Sequence, residues 1–409
     1  MTMKIANHSS LIIVLLSISV FQLSSVSAFG QGSLTPPGTP QPTMKSLDQI
    51  EARTPISSLP FTISSSGSYY LTRNLSVSSG NGITISADKV TVDLNGFTIS
   101  STASNATGTG ILLNGTRTNI TILNGFITGG VTQSGGNYSG SGFQNGIYYT
   151  SAPSNVRVSG IFVSGCLTNG IDLGFNSTVV DSCVVNTVGF YGIYAGTVSN
   201  SIATNCGFDG LQVQTAQNCF GNSSLSGTGL YANLAATNSG GTSSSNVGLY
   251  ALNATNCYGQ TSTGDYGLNA YSATNCYGYH GGSGAGVNAF NAQNCYGQSI
   301  SGIGITAKNA FNCYGTSGSG VGLSATTATA CYGVSNSSTG LGADVVLNCY
   351  GESTSGGGAG ILGFHIVAHS FGVSTAPNYG ISATILIGSE WIGGVQAAHK
   401  YLTGIGPDS

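Results

Sequence analysis

Apolar residues in this chain return in step with glycine. A Gly followed by Ile, Leu or Val recurs in step at fifteen positions from Gly82 to Gly380, among other such pairs, and from Gly192 onward the interval between these fifteen is 18 to 20 residues. The earlier intervals run from 22 to 36 residues, as though loops had been inserted into the same unit. A second marker keeps the same period: Asn218-Cys219-Phe220-Gly221, then Asn-Cys-Tyr-Gly starting at Asn256, Asn275, Asn294, Asn312 and Asn348, with Ala330-Cys331-Tyr332-Gly333 as a variant. A repeat near 19 residues is too short for a helical hairpin repeat and lacks the leucine pattern of a leucine-rich repeat. It suits one coil of a parallel β-solenoid, whose short strands stack about 4.8 Å apart. Fifteen such coils make a rod about 70 Å long.

The marker also predicts a corner. Its first position alternates mainly between Gly and Asn, the two residues that tolerate left-handed backbone angles, so a tight turn between two strands belongs there. Its second position holds Phe97, Phe126, Ile161, Cys183, Ser201 and then mostly Cys. Such a slot faces inward, and strand alternation then turns the following Tyr outward.

Composition narrows the class further. Of 409 residues 64 are Gly and only 5% are charged, for a net charge of −3. So little Lys and Arg excludes a nucleic-acid binder and a binder of acidic membranes, both of which need a basic footprint. With 40% hydrophobic residues the chain has enough apolar matter to bury and is not of the disordered type. Gly, Ser, Thr and Asn disfavour long helices, leaving an all-β protein.

These segments carry a resemblance. Gly67-Ser68-Tyr69-Tyr70-Leu71-Thr72, Gly82-Ile83-Thr84-Ile85, the run Val90 to Ile99 and the two ladders resemble the right-handed parallel β-helix proteins of the pectin-lyase-like superfamily, in particular secreted bacterial β-helix repeat proteins. The similarity spans about Ile56 to Ile387 and implies a fold more than an activity. Enzymes of that superfamily cleave acidic polysaccharides with clustered Asp, calcium and a basic residue, or hydrolyse them with paired Asp.

Residues 1–28 read as a signal peptide: Lys4, an apolar stretch from Leu11 to Phe21, and small residues before cleavage near Ala28. The stretch falls short of the roughly 20 residues that span a bilayer. Residues 29–45 form a Pro- and Gly-rich linker, 46–63 an N-terminal cap, 64–388 the β-helix of about 15 coils and 389–409 a C-terminal cap or tail. The expected location is secreted or at the cell surface, with no transmembrane segment in the mature chain.

For chemistry the ladders come first. Tyr258, Tyr277, Tyr296, Tyr314, Tyr332 and Tyr350 form an outward aromatic stripe, read either as mutual stacking or as a binding surface for polysaccharide or for other copies of the chain. The ten Cys form no unique pairing and read mainly as a stack of buried free thiols, with disulfides between neighbouring coils as the alternative. Without His partners or a CxxC, no metal site is expected. Convergent acidic residues are scarce: no two solenoid carboxylates are adjacent and no Gly-His-Gly is present. The remaining catalytic candidates are Arg157, Asp172 and Asp181, with Arg157 as base and the Asp pair on calcium if the chain is a lyase. Between Ser182 and Ala343 the only charges are Asp209, Asp265 and Lys308. A rod so neutral suits contact with a surface, so the leading expectation is a non-catalytic surface or matrix protein. The alternative is a polysaccharide lyase or hydrolase acting on the N-terminal coils.

Overall fold

The computed structural model describes residues 51–355, 357–375 and 378–401. The expected signal peptide and linker lie outside the described residues, as does the start of the expected N-terminal cap. From Arg53 the chain winds as a parallel β-solenoid of about 18 turns, with no helix among the described residues. The count exceeds the expected 15 because strands continue at both ends where the Gly marker is missing. Thr54–Ile56 and Phe61–Ile63 pair into the stack before Gly82, and Glu390–Ile392 and Gly394–Tyr401 extend it after Gly380. One antiparallel hairpin, Gly130–Ser134 with Asn137–Ser141, fills the longest interval between Gly markers. Its Tyr138 hydroxyl donates to Asn205 O at 2.9 Å and lies 2.7 Å from Ser224 Oγ, which ties the insertion to coils further along.

In the regular half each coil holds a long strand, such as Leu249–Thr255, and a short one, such as Tyr258–Thr261. The corner between them is the Asn of the repeat. Asn256, Asn275 and Asn294 all have φ of 53°, in the left-handed region, as the Gly/Asn alternation predicted. Their amides form the expected ladder: Nδ2 of Asn275 donates to Oδ1 of Asn256 at 3.1 Å, and Asn294 to Asn275 at 3.0 Å.

The core tapers along the rod. One inward row reads, coil by coil in register, Ile99, Ile127, Val163, Val185, Ala203, Gly221, Gly241. As the side chains shrink the two walls close until backbone meets backbone. A Cβ added at Gly278 would sit 2.1 Å from the carbonyl oxygen of Gly286, so the Gly of Asn-Cys-Tyr-Gly is there because nothing larger fits. The next inward row is buried Ser or Thr, and its oxygens work as turn caps. Ser299 Oγ accepts from Gly302 N at 2.9 Å and donates to Gly284 O at 2.8 Å. His280 fills the same slot at 1% exposure, its Nδ1 accepting from Gly282 N at 2.8 Å. It is a turn residue of the core.

One alignment from the sequence needs correcting. Phe126 is not in the inward slot: it is 41% exposed and stacks on Phe162, because its coil bears the left-handed residue one position earlier, at Asn124. Gly125 takes the inward place, level with Ile161. Phe97 is half-buried rather than fully inside.

Candidate functional site

All six tyrosines of the stripe lie directly above one another, in register from Tyr258 to Tyr350, and Phe371 ends the row. They face outward, and Tyr314 is 40% exposed. Their rings are stacked, with centroids 5.4 Å apart for Tyr258 and Tyr277, 5.1 Å for Tyr277 and Tyr296, and 4.3 Å for Tyr332 and Tyr350 at an interplanar angle of 2°. Rings stacked along the rod spend their faces on each other. What the stripe offers a partner is therefore a row of ring edges and hydroxyls at the coil spacing. The break is at Tyr314 and Tyr332, which meet at 60°.

Just beyond that break an open groove of about 500 Å³ is lined by Tyr332, Tyr350, Phe371, Asn348, His369 and Glu390. It opens where Ala330 interrupts the Asn ladder: Asn312 still donates to Asn294 at 2.9 Å, but the next corner has no amide. Tyr350 donates to Glu352 Oε2 at 3.1 Å, and burial together with this carboxylate pushes its hydroxyl well above the ordinary tyrosine value.

The catalytic candidates part company. Asp181 accepts from Ser199 Oγ at 2.6 Å, Asn200 Nδ2 at 3.0 Å and Ser182 Oγ at 3.0 Å, and these bonds hold its carboxyl below the usual range. It is the charged end of the Asn ladder. Arg157, exposed one coil away, adds only a weaker attraction to it. Asp172 lies at the other end of the same strand, Ile171–Asp181, beyond an irregularity between Gly174 and Val179, and is 5% exposed. The three do not converge.

Asp172 instead belongs to a cluster that the sequence did not reveal. Asn169 Nδ2 donates to its Oδ2 at 2.9 Å, while Oδ1 is buried without a partner. Burial raises its carboxyl to about 7, partly offset by the backbone N–H of Gly174. Tyr194 is its register neighbour, and Tyr149 is pushed up to about 12, by burial first and then by the Asp172 charge. Phe175 and Tyr191 pack on Tyr194 with ring centroids at 4.6 and 5.2 Å. Asp209, two coils further, is buried too and raised to about 6 by desolvation, but its Oδ1 accepts from Thr228 N at 2.7 Å. That is a cap used elsewhere: Asn81 Oδ1 receives Thr109 N at 3.0 Å from the same position before the Gly marker. Asp209 is thus structural, and Asp172 is the carboxylate of the cluster with a free oxygen. The available signal was the close repetition of aromatic residues around Gly192 in Phe190-Tyr191-Gly192-Ile193-Tyr194.

Among the described residues no three or more of His, Cys, Asp and Glu converge on a point where they could hold a metal ion. No described helix is long and apolar enough to cross a membrane.

No protein-family model matches the sequence, and no curated protein matches it either. Among solved structures, two mannuronan C-5 epimerase A-modules of Azotobacter vinelandii are similar. The AlgE6 module has 11% identity and a TM-score of 0.21, over 84% of this chain and 92% of that one. The AlgE4 module has the same identity and TM-score over 83% and 91%. At that level the functional reading has to come from this chain's own residues.

Proposed function

We propose that this is a secreted, non-catalytic solenoid that lies against neutral polysaccharide, or against other copies of itself, through its uncharged ladder faces. The observation that carries the reading is the outer face of the short strands. It is a row of six half-exposed tyrosines beside a second outward row of Gln260, Tyr279, Gln298, Thr316, Val334 and Glu352, in which Glu352 at the last rung is the one charge. Burial of Asp209 leaves only Asp265 and Lys308 as exposed charges between Ser182 and Ala343, so the face is more neutral than the sequence count suggests. Contact is edge-on. Tyrosine hydroxyls and amides hydrogen-bond the hydroxyls of a chain laid along the rod, and the groove at Tyr332, Tyr350 and Phe371 offers a place where an aromatic surface is open to it.

The alternative, polysaccharide cleavage on the N-terminal coils, would have to work through Asp172 with Tyr149, Tyr191 and Tyr194, since Asp181 is engaged in the ladder. Calcium goes with that alternative only. A panel of neutral and acidic glycans separates the two readings when scored for both retention of the chain and release of unsaturated or reducing ends. Retention without turnover supports the binding reading. Turnover abolished by Asp172→Asn would replace it with the enzyme, and neither retention nor self-association in sedimentation would overturn it.

A further inference from the structure

A column of six thiols runs through the core of the regular coils. Cys257, Cys276, Cys295, Cys313, Cys331 and Cys349 fill one inward slot in successive coils, each 2–4% exposed. Every Sγ donates to the carbonyl two residues earlier at 3.2 or 3.3 Å, so all six side chains share one rotamer. Identical side chains, one per rung, repeat at the rung spacing of about 4.8 Å. A disulfide needs Cβ atoms about 3.5–4.5 Å apart and sulfurs near 2.05 Å, so the thiols would have to leave this rotamer and the rungs close up. A linear sulfur–metal–sulfur bridge needs neither. Two bonds of about 2.3 Å, the length of a zinc–thiolate bond, span about 4.6 Å in line.

We propose that this column binds soft monovalent cations that favour two ligands in line, Cu(I) or Ag(I), each bridging the thiolates of adjacent coils. Thiolate softness selects such ions over the hard cations of carboxylate sites. Six thiols enclose five intervals, and loading balances as six thiols plus five cations giving a five-metal, six-thiolate chain of net charge −1 and six released protons. Near cancellation of charge is what a buried column requires. The column is bounded at both ends by serine: Ser239 and Ser370 occupy the slot, and Ser370 Oγ accepts from Cys349 N at 3.0 Å. The other four thiols have no thiol on an adjacent rung. Ser201 and Ser239 flank Cys219, Ser201 follows Cys183, and Val188 separates Cys166 from Cys206.

The test is titration of the reduced, folded full chain with Ag(I) to equilibrium, counted by native mass spectrometry, with far-ultraviolet circular dichroism to confirm the fold. About five silver ions per chain are expected, with two sulfur neighbours per silver by X-ray absorption. Changing Cys295 and Cys313 together to Ser leaves two isolated pairs and lowers the count to about two. Serine already fills this slot at Ser201, Ser239, Ser370 and Ser389, so the variant keeps a native slot residue. If that variant fails to fold, Cys349→Ser at the end of the column lowers the count by one. Three or fewer ions on the wild type, a count unchanged in the variants, or disulfides along the column after purification in air would overturn the proposal.

Discussion

The tightest constraint in the rod is the contact between its two walls, and alanine at Gly278 tests it. The added Cβ would lie 2.1 Å from Gly286 O, 2.6 Å from its carbonyl carbon and 2.7 Å from Val287 Cγ2. Ordinary contact begins at 3.4 Å, so the walls must open by 3.4 minus 2.1, about 1.3 Å, with backbone on the far side that has no side chain to rotate away. Overpacking of this kind costs about 1–3 kcal/mol and occasionally more. Losing a glycine from the unfolded chain gives back only about 0.4–1 kcal/mol. Gly342 is the control, because it has an ordinary φ and its nearest neighbour would be Thr339 Cγ2 at 4.0 Å. There the entropy gain acts alone, so Gly342→Ala should be neutral or slightly stabilising. Coils of a solenoid open piecewise, so hydrogen exchange read peptide by peptide is the right assay. Protection across Tyr277–Val287 should fall about tenfold or more for each 1.4 kcal/mol lost in Gly278→Ala, and stay level around Gly342. Wild-type protection in Gly278→Ala, or equal damage from both, would refute the close-wall account.

Three further outcomes are expected. Asp172, raised by burial from 3.8 to about 7, keeps its proton in the folded chain where the unfolded chain has lost it, so stability falls as pH rises from about 4 to 7, by on the order of 4 kcal/mol. Asp172→Asn should therefore flatten the pH dependence of the unfolding midpoint and stabilise the chain at pH 8 but not at pH 4; an unchanged profile would remove burial as the cause. Ala330→Asn restores the missing rung between Asn312 and Asn348, adding up to two amide bonds at about 0.5–1.5 kcal/mol each and a residue suited to φ of 53°, and a lower thermal midpoint would contradict the ladder. Tyr296→Ala removes two ring contacts at 5.1 Å and should cost about 1–3 kcal/mol, while Tyr296→Phe stays within about 0.5 kcal/mol of wild type in urea unfolding.

Most of the solenoid was legible because its repeat states the same physical demand many times over. A Gly/Asn alternation can only mean a left-handed corner, and Asn256, Asn275 and Asn294 adopt one. Alternation from that corner puts Cys257 inside and Tyr258 outside, as the structure has them. Where the repeat is irregular its register is not legible: the left-handed residue is the first of Asn124-Gly125-Phe126 but the second of Ser159-Gly160-Ile161, and that single position turns Phe126 from inside to outside, since a strand's side chains change face at every residue. The candidate site was less legible. Nothing local to Asp172 tells that Tyr194, 22 residues on, is its neighbour, or that Asp181, nine residues on, is not. Nor could composition show that the tyrosine rings turn edge-on, because that depends on stacking from coil to coil, unbroken from Tyr258 to Tyr314 and again between Tyr332 and Tyr350.

On the proposed reading the neutral ladder face holds the chain on an uncharged surface. It is tested most directly by depletion of the folded chain from solution onto insoluble neutral polysaccharide, at low salt and at about 1 M, where the Debye length is near 3 Å. Wild type is compared with Thr316→Lys, which puts a charge beside the tyrosine row at a position that accepts no hydrogen bond from a tyrosine hydroxyl, and with Gln260→Lys/Gln298→Lys, a double variant that adds two charges and also takes the acceptors from the Tyr258 and Tyr277 hydroxyls. The expected result is depletion of the wild type that salt leaves unchanged and that the added charge abolishes. Depletion that high salt abolishes, or that the variants keep in full, would contradict it.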